Sequence, residues 1–194
     1  MTKTILSLFD YSGNWSQPYR ENGYDMIQVD IKLGLDIYEL DYKNLPDIYG
    51  ILAAVPCTDF ASSGARWYKE KDKDGRTAES IRLLKHTLKI IHFLEPVFWA
   101  IENPVGRMNS LIPEMKRYGP WYFQPHHYGD PYTKKTGLWG RFVPPLPIFA
   151  QKAWQPVEPT EGSKMHLLPP SPNRAELRSE TPMGFAYAFY EANK

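Results

Sequence analysis

Gly50-Ile-Leu-Ala-Ala-Val55 is an unbroken apolar run that leads directly into Pro56-Cys57. A second run, Val97-Phe-Trp-Ala-Ile101, leads in the same way into Glu102-Asn103-Pro104. Runs this short and this apolar are typical of parallel strands that are buried on both faces. Because the carboxyl ends of such strands form one edge of an open α/β sheet, we expect Cys57 and Glu102 to meet in one crevice.

The segments on either side predict the rest of the fold. The sequence pattern predicts strands over residues 4–9 and 26–31, helices over 17–22, 77–94, 108–117 and 183–192, and a long polar loop over 57–75. Thr77 is the predicted N-cap of the second helix. The fold class is therefore α/β, a Rossmann-like doubly wound and mostly parallel sheet with a small, irregular C-terminal elaboration rich in proline and aromatic residues. We expect one domain over residues 1–194, with the elaboration at 120–180 and a helix at 181–194 that packs back on the core.

Composition narrows the class of protein. The chain has 194 residues, of which 42% are hydrophobic and 23% charged, as in ordinary globular proteins. It has no apolar run of membrane-spanning length and no signal peptide, so we expect no membrane partner. The single cysteine excludes an internal disulfide and fits a cytoplasmic location, and no Cys/His cluster predicts a metal site. Since the net charge is only +1, any surface that binds nucleic acid must be local.

A thiol beside a carboxyl suits attack on a pyrimidine ring. The thiolate of Cys57 would add to carbon 6, while a protonated Glu102 would hold ring nitrogen 3. An isolated cysteine is usually a small buried hydrophobic residue, but the position of Cys57 between proline and polar residues at a strand end favours a nucleophile. Glu102 must carry a proton for this role, so we expect partial burial to raise its pKa.

Three motifs resemble those of the DNA cytosine-5 methyltransferases. Pro56-Cys57-Thr58-Asp59-Phe60 is similar to the nucleophile motif, Glu102-Asn103-Pro104 to the Glu-Asn-Val motif, and Leu6 to Gly13 to the opening strand and cofactor loop. They occur in the order and at the spacing of that family. The resemblance implies a class I methyltransferase fold that uses S-adenosyl-L-methionine, or a sulfonium derivative of it, to methylate cytosine carbon 5 in DNA through a covalent adduct at Cys57.

The resemblance and the sheet geometry together give a candidate site. The catalytic residues are predicted to be Cys57, Glu102 and Asn103. The cofactor contacts are predicted at Phe9, Asp10, Tyr11, Ser12, Gly13, Asp30, Ile31, Asp36, Ile37 and Pro56. The substrate contacts are predicted at Pro56, Thr58, Phe60, Ser62, Arg66, Lys134 and Lys135. An acid at the end of the second strand commonly bonds ribose hydroxyls, which is the reason for Asp30; the contact of Asp36-Ile37 with adenine is implied by the resemblance alone.

The chain departs from the family in three places. The loop Ser12-Gly13-Asn14-Trp15-Ser16 lacks the later glycines of the cofactor motif. Residues 128–140 stand where the family has a Gln-Arg-Xaa-Arg strand, and lysine at 134 or 135 cannot reproduce the bidentate geometry of an arginine. The region expected to read DNA sequence is short. These departures leave three alternatives open, namely a methyltransferase for RNA or for a free cytosine nucleotide, a catalytically weak binding module, and a DNA enzyme whose recognition comes from a protein partner.

Overall fold

The computed structural model describes residues 2–147 and 155–194, and a six-stranded sheet lies at its centre. The predicted elaboration therefore includes a part, residues 148–154, that lies outside the described residues. The strands are β1 (Thr4–Leu8), β2 (Asp25–Val29), β3 (Ile48–Ala53), β4 (Phe98–Pro104), β5 (Trp121–Phe123) and β6 (Thr136–Arg141). Their order across the sheet is β2-β1-β3-β4-β6-β5. The first four strands in this order are parallel, and the last two are antiparallel to their neighbours.

The sheet reverses its direction of growth between β1 and β3. The chain runs from β1 to β2 on one side and then returns to pair β3 with the other side of β1. Such a reversal opens a crevice at the carboxyl ends of the two strands, which is where ligands bind in open α/β sheets. The loop that begins at Phe9 and the loop that begins at Ala54 both emerge at this crevice.

Helices cover both faces of the sheet. They are α1 (Gln17–Glu21), α2 (Tyr68–Lys73), α3 (Arg76–Leu94), α4 (Met108–Leu111), α5 (Lys164–Leu167), α6 (Arg174–Ser179) and α7 (Met183–Ala192). Leu84 and Leu88 of α3 pack with Leu6 of β1 on one face, while Phe185 of α7 packs with Ile5 of β1 on the other. Burial on both faces explains the unbroken apolar runs and confirms the predicted α/β class. No helix within the described ranges is long and apolar enough to cross a membrane.

The strand that carries the catalytic motif is longer than the sequence predicts. β4 continues past Ile101 because β6 pairs beside it as far as Pro104 opposite Thr136. Glu102 and Asn103 therefore lie inside the ladder rather than in a loop after it. This pairing fixes the backbone of Glu102 and Asn103, so the register of the sheet decides on which face each side chain lies.

Several predicted elements are corrected. Residues 57–75 are not a long loop, since they include a 3₁₀ helix at Ser62–Trp67 and the helix α2. Pro113 ends α4, and a 3₁₀ helix at Pro113–Tyr118 replaces the rest of the predicted helix. The helix α3 begins at Arg76 with Gly75 as its N-cap residue, so the predicted N-cap role of Thr77 is wrong. The short helix α6 has no counterpart in the sequence-based prediction.

Candidate active site

A cleft of about 920 Å³ opens at the carboxyl ends of the parallel strands. This volume is within the range of small-molecule sites. The predicted site residues that line the cleft are Phe9, Asp10, Tyr11, Ser12, Asp30, Ile31, Asp36, Ile37, Pro56, Cys57, Thr58, Arg66, Lys134 and Lys135. Gly13, Phe60, Ser62, Glu102 and Asn103 are not part of this lining. The structure thus brings the cofactor loop and the nucleophile motif to one surface, with the Glu-Asn pair behind it.

Cys57 stands at the start of a tight turn on the cleft wall. Its carbonyl accepts hydrogen bonds from the backbone N–H groups of Phe60 (3.0 Å) and Ala61 (2.9 Å), which fixes the residue. Burial raises the pKa of its thiol, and the nearby charge of Glu102 raises it further. The charges of Lys134 and Arg178 act in the opposite direction. The resting protein therefore favours the thiol, and the two cations partly offset this preference.

Glu102 is a buried acid on β4 whose charge acts on this thiol. Its side chain is only 6% exposed, and burial raises the pKa of its carboxyl. Lys134 lowers that pKa and Asp10 raises it, but the net direction is upward. A carboxyl in this environment holds its proton to higher pH than an exposed one, which is the state that can donate to a ring nitrogen.

Asn103 on β4 forms a hydrogen bond to the chain that follows β3. It is fully buried, and its Nδ2 donates a hydrogen bond to the carbonyl of Val55, at 2.9 Å, immediately before Pro56-Cys57. Its Oδ1 has no hydrogen-bond partner among the described residues. The side chain therefore sets the position of the Cys57 loop relative to β4, which is a positioning role.

A buried ion pair holds the turn after Cys57. Lys71 Nζ lies 3.1 Å from Asp59 Oδ1, and the two residues are 5% and 7% exposed. Ser80 Oγ donates to Asp59 Oδ2 at 2.6 Å, and Lys71 also donates to the carbonyl of Thr58. Residues 66–76 are a cation-rich stretch that the sequence favours for a grip on the nucleic-acid backbone, but the ion pair of Lys71 is not predictable because its partner lies on a different element.

Arg107, the N-cap residue of α4 in the loop after β4, supports the same turn. Its Nε donates to the carbonyl of Asp59 at 3.0 Å, and its two Nη atoms bind the carboxylate of Asp72 at 2.8 and 2.7 Å. Its guanidinium also stacks 3.6 Å from the ring centre of Tyr68. Arginine is suited to this site because its planar guanidinium can donate hydrogen bonds in its plane and stack on an aromatic ring at the same time. No local signal in the sequence marks this residue.

The cofactor loop is organised by a buried carboxylate. Asp10 is 4% exposed and accepts hydrogen bonds from Ser7 Oγ (3.0 Å) and from the hydroxyl and backbone N–H of Ser16 (3.1 and 3.3 Å). Gly13 closes a turn onto the Asp10 carbonyl at 3.0 Å, with φ at 71°, and Trp15 is fully buried in the core. Hydroxyl groups thus shape the loop that glycines shape in the family motif.

The end of β2 offers carboxylates beside apolar surface. Asp30 Oδ1 accepts a hydrogen bond from the Lys32 N–H (2.8 Å), and Asp36 Oδ1 accepts one from the Tyr38 N–H (2.9 Å), so both acids are held in place. The exposed apolar side chains of this region that line the cleft are Tyr11, Ile31, Leu35 and Tyr38. The side chain of Ile37 is instead 4% exposed in the core, which leaves only its backbone for a ligand. Acids next to apolar faces suit a nucleoside, whose sugar is polar and whose base is flat.

The predicted substrate contacts separate into three groups. Phe60 is fully buried in the core, so its predicted contact is replaced by a packing role. Ser62 is exposed outside the cleft lining, and its N–H donates to the Val105 carbonyl at 2.8 Å. Pro56, Thr58, Arg66, Lys134 and Lys135 do line the cleft.

The C-terminal segment forms the wall opposite Cys57. Lys32 Nζ lies 3.0 Å from Glu176 Oε2 on α6, and Lys134 Nζ donates to the Glu180 carbonyl at 2.9 Å. Arg178 lines the cleft between these two contacts. The sequence analysis placed this stretch in the elaboration and missed Arg178, because a six-residue polar helix carries no recognisable pattern. Among the described residues, no cluster of His, Cys, Asp or Glu is placed to hold a metal ion.

Comparison with known proteins identifies relatives. No family model matches the sequence. The chain is 30% identical to a protein of Frog virus 3 (isolate Goorha) described as a probable DNA (cytosine-5)-methyltransferase, over 70% of this chain and 69% of that protein. Among solved structures, the Entamoeba histolytica methyltransferase EhMeth aligns with a TM-score of 0.51 at 15% identity, over 81% of this chain, which supports the fold. A putative DNA modification methyltransferase from an Escherichia coli prophage aligns with a TM-score of 0.49 at 20% identity, also over 81% of this chain. The chain spans 58% and 53% of the lengths of these two structures.

Proposed function

The chain belongs to the DNA (cytosine-5)-methyltransferase family, and we propose that it transfers a methyl group from S-adenosyl-L-methionine to carbon 5 of cytosine in DNA, through a covalent adduct at Cys57. The observation that carries this proposal is the placement of Cys57 beside Glu102 at the ends of two adjacent parallel strands. Cys57 lines the cleft, while Glu102 is buried and outside the cleft lining.

The residues of the cleft fit the donor. Asp30 and Asp36, held by the Lys32 and Tyr38 N–H groups, would bond the ribose hydroxyls and the adenine, and the exposed apolar side chains next to them would cover the ring. The loop of Asp10 would enclose the rest of the molecule. When bound, S-adenosylmethionine would supply an electrophilic methyl group for carbon 5. Trp15 is packed into the core and is not part of the cleft lining, so it does not obstruct the cleft.

Cys57 and Glu102 have separate roles in the proposed reaction. The Cys57 thiolate forms a bond to carbon 6 as Glu102 gives its proton to nitrogen 3, and carbon 5 becomes nucleophilic. After methylation, a base removes the carbon 5 proton, the carbon–sulfur bond breaks, and the electron pair returns to sulfur while nitrogen 3 returns its proton to Glu102. The raised pKa of Glu102 suits a proton donor, because a carboxyl that keeps its proton can transfer it to nitrogen 3.

The name of the viral relative, a probable DNA (cytosine-5)-methyltransferase, supports DNA as the substrate. The second candidate is a free cytosine nucleotide, and one observation supports it. Part of the segment expected to read DNA sequence, α6, lies against the cleft itself through Lys32 and Lys134. A cytosine in DNA must leave the base stack to enter the cleft, whereas a free nucleotide needs no such step. A cleft that α6 partly covers therefore favours the smaller substrate.

A trapping experiment tests the proposal. DNA that carries 5-fluorocytosine is expected to form a denaturation-resistant complex with the protein in the presence of donor, because fluorine leaves no proton to remove from carbon 5. Cys57→Ser should abolish the complex, and Glu102→Gln should slow it by roughly 10²-fold or more, since an amide has no proton to give to nitrogen 3.

The control and the contrary results are equally specific. Glu114→Gln makes the same chemical change at an exposed residue outside the cleft and should trap like the wild type. Trapping that persists in Cys57→Ser would refute the covalent mechanism. Turnover of a fluorine-free cytosine nucleotide, without any trapping on DNA, would establish the second candidate.

A further inference from the structure

One wall of the cleft is a segment that the core of the protein does not hold. Residues 163–180 contain α5 and α6, and neither helix has a buried residue. Every residue of this segment is exposed or half-buried, although several of them line the cleft. The facing wall follows β1, β2 and β3, whose side chains belong to the core. Since a segment with few buried apolar contacts opens at a lower free-energy cost than the core, residues 163–180, here called the strap, form the wall that can move.

Both ends of the strap are fixed to the rest of the protein. Before it, the Glu161 N–H donates to the Pro131 carbonyl at 2.8 Å, and the Thr133 N–H donates to the Gly162 carbonyl at 2.7 Å. After it, Thr181 is only 3% exposed and leads into α7, which packs in the core. Gly162 has a φ of 50°, and a Cβ placed there would meet no atom within 4 Å, so the strap begins at a turn in open space. The strap can therefore swing between two fixed points while the sheet stays folded.

The two helices of the strap are joined to each other. Arg174 Nη2 on α6 donates to the carbonyl of His166 on α5 at 3.1 Å. Both residues line the cleft, as does Met165. A displacement of α6 would therefore carry α5 with it and open the cleft on this side.

A single lysine connects the strap to the facing wall at the cofactor loop. Lys32 Nζ lies 3.0 Å from Glu176 Oε2 and 4.7 Å from the centre of the Tyr11 ring. Tyr11 follows β1, Lys32 follows β2 and Glu176 lies on α6, and all three line the cleft. The side chains of the ion pair are 50% and 34% exposed, so the pair contributes little to the stability of the fold and can break readily.

This connection is coupled to the proposed donor site through one turn of the chain. The backbone N–H of Lys32 donates to Asp30 Oδ1 at 2.8 Å, and Asp30 is the acid that we assign to the ribose. A donor that bonds Asp30 would order this turn and hold Lys32 where it meets Glu176. A closed strap would in turn slow the departure of the donor. Binding and closure therefore favour each other by the same factor.

We propose that the strap opens to admit the methyl donor and closes over it, and that the ion pair of Lys32 with Glu176 is the latch of the closed state. The inference rests on the proposed function for the identity of the ligand, whereas opening of the strap can be measured without any ligand. Closure also fixes the far end of α6, because the Glu180 carbonyl accepts a hydrogen bond from Lys134 Nζ at 2.9 Å. The strap thus links occupancy of the donor site to the wall that faces Cys57.

Hydrogen–deuterium exchange of the full-length protein, read residue by residue by NMR, tests the strap. The amides of Leu177 and Glu180 report its opening, because they donate to the Asn173 and Glu176 carbonyls within α6. Without ligand they should exchange at least roughly 10²-fold faster than the amides of β1 and β3. Saturating S-adenosylhomocysteine, the demethylated product of the donor, should slow them by about 3- to 10-fold.

The latch is tested by the rate at which this product dissociates. Glu176→Gln should raise the rate by about 2- to 5-fold, which is the range for an exposed ion pair. Lys32→Glu places two acids together and should raise it further, and the addition of Glu176→Lys reverses the pair and should return the rate toward that of the wild type. Glu191→Gln is the matched control, because it makes the same change in the ion pair of Glu191 with Lys194, at 2.7 Å and outside the cleft. Its rate should equal that of the wild type.

Three results would overturn the inference. They are strap amides that exchange as slowly as those of the strands, a bound product that leaves their exchange unchanged, and a dissociation rate that Glu176→Gln does not alter or the reversed pair does not restore. A protein that binds neither donor nor product refutes the proposed function instead. In that case, faster exchange of the Leu177 and Glu180 amides in ligand-free Glu176→Gln still supports the latched strap, and unchanged exchange refutes it as well.

Discussion

The buried carboxyl of Glu102 shows how a residue proposed for catalysis can oppose stability. Burial raises its pKa above the ordinary value, so the folded protein prefers the protonated form more strongly than the unfolded chain does. Below the ordinary pKa both states are protonated and folding carries no penalty. As pH rises above that value the unfolded chain ionises first, and the folded state becomes progressively less favoured until the pKa of the folded state is passed.

Glu102→Gln should therefore stabilise the protein while it removes activity. Glutamine is neutral at every pH, so it avoids the cost of ionising a buried acid. At pH 8 we expect a higher Tm than in the wild type, and at pH 4 no difference. Each unit by which the pKa is raised corresponds to about 1.4 kcal/mol, or roughly 3–5 °C in Tm for a chain of this size. Thermal unfolding followed by circular dichroism at the two pH values is the measurement.

The exposed residue Glu114 provides the comparison for that experiment. Glu114→Gln removes an acid that is not buried and should leave the Tm unchanged at both pH values. A Tm that falls at pH 8 in Glu102→Gln would show that the ionised carboxylate is net stabilising, most directly through Lys134, and would contradict a proton-holding role for this residue.

At the scale of elements, the active site depends on the contact between the loops that follow β3 and β4. The N–H of Ser62 donates to the Val105 carbonyl at 2.8 Å, and the N–H of Arg107 donates to the Phe60 carbonyl at 2.9 Å. Gly106 lies between these two bonds, and a Cβ placed there would be 1.8 Å from the Phe60 oxygen. The two backbones can approach this closely only if residue 106 has no side chain.

Gly106→Ala should thus separate the loops and move Cys57 away from Glu102. We expect a loss of stability of about 1–3 kcal/mol, as for other overpacked sites, and a fall in trapping rate of at least roughly 10-fold. Gly64→Ala is the matched control for stability, because its Cβ would lie 3.5 Å from the nearest backbone oxygen, at ordinary contact distance. Unchanged stability and trapping in Gly106→Ala would mean that the loops are not coupled in this way.

The same loops show what a sequence can predict and what it cannot. The apolar runs of β3 and β4 indicate two buried strands of an α/β sheet, because an unbroken apolar run is a local signal of burial on both faces. The ion pair of Lys71 with Asp59 and the support from Arg107 are not predictable, since they join elements that only the tertiary fold brings together. The motif places Phe60 at the substrate, although its side chain is fully buried and the motif does not report burial.

At the scale of the whole molecule, the cleft joins parts of the chain that are far apart in sequence. The ends of β1, β2 and β3 form one side, and α6 forms the other through Lys32 and Lys134. The ion pair between Lys32 and Glu176 is partly exposed and contributes little by itself. A ligand that fills the cleft would contact both sides at once and would bind only the folded chain.

S-adenosylmethionine, or its demethylated product, should therefore raise the Tm of the whole protein in a single transition. A ligand that is selective for the folded state stabilises it by about 2.7 kcal/mol at 100 times its dissociation constant, which is roughly 5–10 °C at this size. Asp30→Asn should reduce the shift, because it removes the charged acceptor at the end of β2 that we assign to the ribose. Asp25→Asn makes the same change at the opposite end of β2, at an exposed residue outside the cleft. The backbone N–H of Asp25 donates to the Lys3 carbonyl at 3.0 Å, and the substitution leaves this bond in place. Asp25→Asn should therefore respond like the wild type. If neither molecule shifts the Tm at millimolar concentration, the cleft does not hold this donor. A shift that is equal in Asp30→Asn and Asp25→Asn would keep the donor and remove Asp30 from its site.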